Sequence, residues 1–417
     1  MEADVRIEAV GALGDGIGRL GDRRILVPGA APGDTVRVRV SVHQTGPLTG
    51  RLLALLRHGG ARREPPCAHF DACGGCTAQH LDDAAYADWK RGLLATALGR
   101  QGIEAERVDP LLQVMPGSRR RARLACLGTA RGALLGFAER GSRRLIDVAS
   151  CPVLTPRLVG LLRPLRQLVS GLLQPGMRLG VELLDLNGVV DVGLIGGREP
   201  GPAAGAASAG FAHAQGVGRI GWRPSDHAEP VPLAELAVVE ATFGGVRVRV
   251  PPGAFLQATE AGEAALRAFV LAEAEGRVAE LFCGLGTFTL PLAVAGRRVD
   301  AWEGAAAATG ALSAAARAAG LPVTVERRDL AKRPLAPADL SRADTVLLDP
   351  PRGGAREQMP AIAGSHAACV IYVSCNPVSF ARDARTLVDA GFRLERLLPV
   401  DQFLWSPHLE LAALFRR

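Results

Sequence analysis

The chain has 417 residues, 48% of them hydrophobic, with 50 glycines and a formal charge of +7. That length exceeds one ordinary core, so two or three domains are expected in a globular protein rich in turns. No run of eighteen apolar residues occurs, which excludes a membrane-spanning helix. The charge is carried almost wholly by arginine, since Lys90 and Lys332 are the only lysines, and such an excess favours a polyanionic partner.

The first residues lack the apolar core of a signal peptide, so a cytoplasmic chain is expected, whose eight cysteines are thiols or ligands rather than disulfides. Residues 4 to 58 alternate short apolar runs with Gly/Asp/Pro turns. In the run from Thr35 to Val40, valines take one face and arginines the other. This predicts a small β-barrel whose outer face is either basic or simply solvated. A cysteine-bearing segment follows at 61–80, then a helix from about Leu81 to Arg100. A mixed middle region runs to about Val250 and contains an amphipathic helix over Leu158 to Leu173. Within it, Gly196 to Gly218 is so rich in Gly, Ala and Pro that a loop is predicted. From Pro251 onward strands and helices alternate, as in a doubly wound parallel sheet. The division expected is therefore 1–60, 61–250 and 251–417.

Cys67, Cys73 and Cys76 lie close together, the last two around Gly74 and Gly75. Three thiols in so short a cytoplasmic segment predict a metal site, with Cys151 as the fourth ligand. Zinc sites usually bring two close cysteine pairs, whereas here there is one pair and two singletons. A structural or sensing [4Fe–4S] cluster is expected in preference to zinc.

The segment Val278 to Leu290 reads as strand, glycine turn and helix, with Gly284 and Gly286 allowing close backbone approach. A dinucleotide fingerprint would require a third glycine where Thr289 stands, so pyrophosphate is disfavoured. Nineteen residues after Gly284 a second strand ends in Glu303, suited to ribose hydroxyls, and the arrangement suits S-adenosylmethionine. Asp329 ends a third strand, where it either reads an adenine amino group or caps a helix. Two further apolar strands end abruptly in Asp349, followed by Pro350 and Pro351, and in Cys375, between Ser374 and Asn376. Buried parallel strands place such residues at the carboxyl edge of the sheet, where ligands bind. A thiolate there can add to C6 of a pyrimidine and make C5 nucleophilic toward a methyl sulfonium, after which a base must remove the C5 proton. Cys375 suits the first role, and Glu410, on a late strand, the second.

The N-terminal turns Gly14–Gly18 and Pro28–Asp34 resemble the TRAM module, a small RNA-binding barrel. Phe255-Leu256-Gln257, the run Leu281 to Ala293, Asp349-Pro350-Pro351-Arg352-Gly353-Gly354 and Tyr372 to Pro377 together resemble the RNA uracil-5-methyltransferases. The likeness extends through Cys67, Cys73, Cys76 and Cys151 and covers nearly the whole chain. The combination of barrel, cysteines and methyltransferase unit is similar to the large-subunit ribosomal RNA branch. This resemblance implies a multidomain α/β fold, with an N-terminal TRAM/OB-like β-barrel, a central α+β region bearing the iron–sulfur site, and a C-terminal Rossmann-like methyltransferase domain. It implies donor contacts from Gln257, Phe282, Thr287, Glu303, Asp329 and Asp349, with Cys375 as nucleophile and Glu410 as proton acceptor. Thr287, Asp329 and Thr259 depart from the asparagines common at those positions. The expected substrate is 23S ribosomal RNA, with transfer RNA as the alternative, and the expected state a monomer away from membranes. Two other readings remain. An exocyclic-amine methyltransferase would place an aromatic ring after Pro351, where Arg352 stands. A non-catalytic iron–sulfur RNA-binding protein would leave Asp349 and Cys375 without purpose. The arginines at 119, 120, 121 and 123, with Arg140, Arg143 and Arg144, are expected to meet RNA phosphates or to form a solvated face.

Overall fold

A computed structural model describes residues 1–42 and 46–417. The first five strands, from Glu2–Val10 to Leu48–Arg57, form a closed barrel. Val5, Ile7, Ile25, Val27, Val36 and Val38 fill it, as the alternation predicts. Its outer face is less basic than the sequence suggests. Arg37 meets Asp4 at 2.8 Å and Arg39 meets Glu2 at 3.0 Å on the neighbouring strand, so these arginines are offset by cross-strand carboxylates.

The middle region holds a seven-stranded sheet with two helices, Pro156–Leu172 and Pro202–Gln215, packed against it. The second helix corrects the loop predicted over 196–218. Pro202 starts it, the left-handed Gly216 (φ 63°) closes it, and Ala212 and Ser208 face inward. Its alanines favour a helix, and Gly205 and Gly210, with nothing nearby to clash, are tolerated on its outer side.

A nine-stranded sheet underlies the C-terminal half. Its parallel core runs Val323–Arg327, Val299–Glu303, Val278–Leu281, Thr345–Leu348 and Cys369–Ser374, each a spatial neighbour of the next. Glu410–Arg416 then pairs antiparallel with Cys369–Ser374, and Arg393–Asp401 pairs with it in turn. The boundary at 250 is crossed by an earlier segment. Arg107–Val108 and Leu112–Gln113 extend this sheet, and Leu94, Leu98 and Ile103 share a core with Leu348, Phe380 and Leu397. The helix Asp83–Gly99 therefore packs with the C-terminal unit, because its apolar side has that sheet's helices and strands to cover. Among the described residues no helix is long and apolar enough to cross a membrane.

Candidate active site

Register places the predicted residues together. Leu281 lies opposite both Trp302 and Leu348, and Leu348 lies opposite Tyr372. Phe282, Glu303, Asp349 and Cys375 thus leave the carboxyl edge of four adjacent strands. The antiparallel strand Glu410–Arg416 begins at that same edge, with Leu411 opposite Ser374, so Glu410 emerges beside Cys375.

The first turn is tight. Phe282 is left-handed at φ 61°, a costly conformation for a non-glycine residue, followed by Gly284 at 55° and Gly286 at 88°. The Gly284 N–H donates to Glu303 Oε2 at 3.2 Å, and the Ala305 N–H donates to Oε1 at 2.8 Å. A Cβ at Gly284 would meet nothing, so the backbone there is open to close approach, whereas one at Gly286 would strike Leu312. Thr287 is half-buried in the same turn. Thr289, which stands where a dinucleotide site needs glycine, donates to Glu280 Oε2 at 2.6 Å. Burial pushes the Glu280 carboxyl up to about 8. Asp329 is exposed, and its Oδ1 accepts from the N–H groups of Ala331 and Lys332, both at 3.2 Å. It therefore caps a turn, and no helix begins at this point.

Asp349, Gln257, Gln402 and Glu410 form one chain of contacts. Gln257 Nε2 donates to Asp349 Oδ2 at 3.1 Å, and Gln402 Nε2 donates to Gln257 Oε1 at 2.7 Å and to Glu410 Oε2 at 2.8 Å. Gln402 Oε1 accepts from the Thr259 N–H at 3.3 Å, which fixes the amide's orientation. Burial, and then the proximity of Asp349, push the Glu410 carboxyl well above the usual carboxylate range, while burial does the same to Asp349. The two carboxyls oppose each other's ionisation and titrate as a pair.

Cys375 is half-buried between its strand and the helix Pro377–Asp389, whose N-cap Asn376 accepts from the Val378 N–H at 3.1 Å. A helix N-terminus lowers a thiol's pKa. Here burial outweighs it, and with Glu410 and Asp349 nearby the Cys375 thiol is pushed up to about 12. Asn376 Nδ2 and Ser379 Oγ both donate to the Arg352 carbonyl at 3.0 Å, tying the cysteine turn to the Asp349-Pro350-Pro351 turn.

The arginine run divides. Arg120, only 5% exposed, pairs with Glu263 and donates to the Gln257 carbonyl at 3.1 Å, so it is a support of the site rather than a phosphate contact. Arg123 pairs with Asp226 and Arg144 with Glu139. Arg119 and Arg121 instead lie over the rings of Phe403 and Phe255, 5.4 and 4.8 Å from the centroids.

Cys67, Cys73, Cys76 and Cys151 line one cavity of about 670 Å³ together with Arg119, Arg140 and His408. Gly74 is pressed against the strand Gly132–Ala138, where its N–H donates to the Ala138 carbonyl at 2.9 Å. The expected metal site is met only to that extent. Among the described residues no group of three or more His, Cys, Asp or Glu side chains converges closely enough to hold a metal ion.

Residues 328–417 match the tRNA (Uracil-5-)-methyltransferase family and residues 2–53 match the TRAM domain. An uncharacterized RNA methyltransferase of Caulobacter vibrioides is 40% identical, covering 99% of this chain and 100% of its own. The 23S rRNA (uracil(1939)-C(5))-methyltransferase RlmD of Halomonas elongata is 36% identical, over 95% of this chain and 86% of its own. The chain belongs to the RNA uracil-5-methyltransferase family. A solved tRNA (uracil-54, C5)-methyltransferase of Pyrococcus abyssi, in complex with S-adenosyl-L-homocysteine, shares its fold over 100% of both chains at a TM-score of 0.76 and 24% identity. The uracil-5-methyltransferase resemblance and the TRAM module at the N-terminus are therefore borne out. Sequence reasoning missed Gln402 and Arg120 as parts of the site.

Proposed function

We propose that this RNA uracil-5-methyltransferase transfers the methyl group of S-adenosylmethionine to C5 of a uridine in large-subunit ribosomal RNA, through a bond between Cys375 and C6 of the base. The observation that carries this reading is a thiol and a buried carboxyl, Cys375 and Glu410, side by side at the sheet edge that also bears Asp349. S-adenosylmethionine supplies an electrophilic methyl on a sulfonium. The open backbone at Gly284, the oriented Glu303 carboxylate and the Gln257–Asp349 pair fit such a donor, with Phe282 and Thr287 flanking it. Asp329 is the least suited of the six contacts, since it alone is exposed and its Oδ2 lies 3.6 Å from Lys332 Nζ.

Cys375 gives up its proton to solvent and adds to C6 as the thiolate, and the electron pair released from the C5–C6 double bond makes C5 a nucleophile for the methyl group. Glu410, as carboxylate, then takes the C5 proton, and the restored double bond expels the Cys375 thiolate. Ribosomal RNA is chosen because the Halomonas relative, which this chain matches over most of its length, is named for that substrate. Mapping 5-methyluridine in cells with and without the gene tests the choice: one or more sites in 23S RNA should be lost. Loss confined to transfer RNA would overturn it.

We also propose that the four cysteines hold a [4Fe–4S] cluster. Their donor set is all soft thiol around one cavity, which fits iron–sulfur chemistry, although closer convergence of the sulfurs is then required. Anaerobically purified protein should contain iron and acid-labile sulfide in equal amounts, lost on replacing Cys76 with serine. Stoichiometric zinc without sulfide would replace the cluster by a zinc site.

A further inference from the structure

Glu410 opens its strand at the end of an eight-residue loop, Gln402 to Leu409, and Gln402 at the other end holds both Glu410 and Gln257. Such a loop is ordinarily the mobile part of a hairpin. This one also carries a strained residue, Trp405, at φ 57°. Something must hold it.

What holds it is an ammonium group with no exposed surface. Lys90, on the helix Asp83–Gly99, places its Nζ 2.7 Å from Asp401 Oδ1, 3.3 Å from the Phe403 carbonyl and 2.5 Å from the His408 carbonyl. The three N–H donors of one lysine are thus spent on both ends of the loop. One turn earlier, Tyr86 donates to Asp401 Oδ2 at 2.5 Å and accepts from the Trp405 N–H at 2.7 Å, which pins the apex. The N–H groups of Thr77 and Ala78 complete the hold on the Trp405 carbonyl, at 2.6 and 3.0 Å.

A buried ion pair is a poor way to stabilise a fold, because each ion loses its hydration on burial and an apolar pair of similar volume often does as well. The value of this one lies in direction. In a chain whose cations are nearly all arginine, position 90 is one of two lysines. A planar guanidinium fork does not direct three donors from one atom toward three separated acceptors, whereas a tetrahedral ammonium does.

We propose that Lys90, with Tyr86 and Asp401, is a positioning residue that sets Gln402 and, through it, the Glu410 carboxyl for removal of the C5 proton. The inference rests on the covalent reading above, and the two are tested by separate readouts. RNA carrying 5-fluorouridine reports addition by Cys375 and methyl transfer only, since fluorine cannot leave as a proton. Ordinary uridine RNA reports the release step as well. Lys90→Met alone would strand Asp401 as an unpaired buried charge, so the variants are Tyr86→Phe and the double Lys90→Met/Asp401→Leu, which removes the charge pair together.

Both should form the fluorouridine adduct at the wild-type rate with unchanged KM for RNA. On ordinary RNA both should lower kcat, by about tenfold for the double variant, with a denaturation-resistant protein–RNA adduct accumulating. Wild-type release by the folded double variant overturns the positioning role. So does an equal loss of adduct formation and release, or failure of both variants to fold, either of which would make the network a general support. If the wild-type protein itself forms no fluorouridine adduct, the covalent reading fails instead.

Discussion

Cys375→Ala is expected to reduce methyl transfer by at least about 10⁴-fold, because removing a nucleophile takes away the whole route and not a share of it. The loss should fall on kcat with little change in RNA affinity, since the half-buried thiol offers little binding surface at rest. Incubation with 5-fluorouridine RNA and methyl donor should give wild-type protein that stays bound to RNA through denaturation, and Cys375→Ala protein that does not. Normal turnover by Cys375→Ala would reject the thiol route outright. Cys283→Ala serves as the control. That thiol is buried in the core, and burial raises it well above its ordinary value, so its removal should affect stability and not chemistry.

Glu410→Gln should produce a different failure. Addition and methyl transfer need no base at C5, so the variant should reach the methylated adduct and stall there, on ordinary uridine as well as on the fluorinated base. Turnover should fall by about 10²–10⁴-fold, the usual contribution of a positioned general base. In the wild-type enzyme only the carboxylate form of Glu410 can accept the proton. Because burial and Asp349 raise this group, kcat should climb with pH well above the usual carboxylate range and fall as the medium is acidified.

The stability effect has the opposite sign. A carboxyl raised in the folded state favours folding fully at acid pH, and that contribution is lost as pH rises through the folded value. Glu410→Gln removes the titration while keeping a partner for Gln402. Its Tm should match wild type near pH 4 and exceed it by a few degrees in mildly alkaline buffer. A variant that turned over normally, or that stalled before methyl transfer, would remove Glu410 from the base role.

The strand-end chemistry of this enzyme was legible in its sequence because a buried parallel strand has a local signature. Uninterrupted apolar runs such as Thr345–Leu348 and Cys369–Ser374 identify a sheet buried on both faces, and the first polar residue after each must lie at its carboxyl edge. Asp349 and the Ser374-Cys375 strand end follow from that rule without knowledge of any long-range contact, whereas Glu303, on a strand that carries Asp300, follows from its spacing after Gly284. Alternation likewise placed the valines inside the barrel, and the glycine spacing placed the turn after Leu281.

Partnership was not legible. The basic run at 119–123 is uniform as text, yet Arg120 turns into the interior to meet Glu263, 143 residues away, while Arg119 and Arg121 lie over aromatic rings. The helix Asp83–Gly99 reads from sequence only as a helical stretch, but its Lys90 meets Asp401 across 311 residues. Periodicity tells a side chain which face it occupies, whereas the packing of distant elements decides which polar group waits on the other side. Local pattern was enough to place Asp349 and Cys375 at one edge of the sheet. The tertiary structure alone decided how Glu410 is held, because a buried carboxyl takes its orientation and its proton affinity from neighbours that no local pattern records.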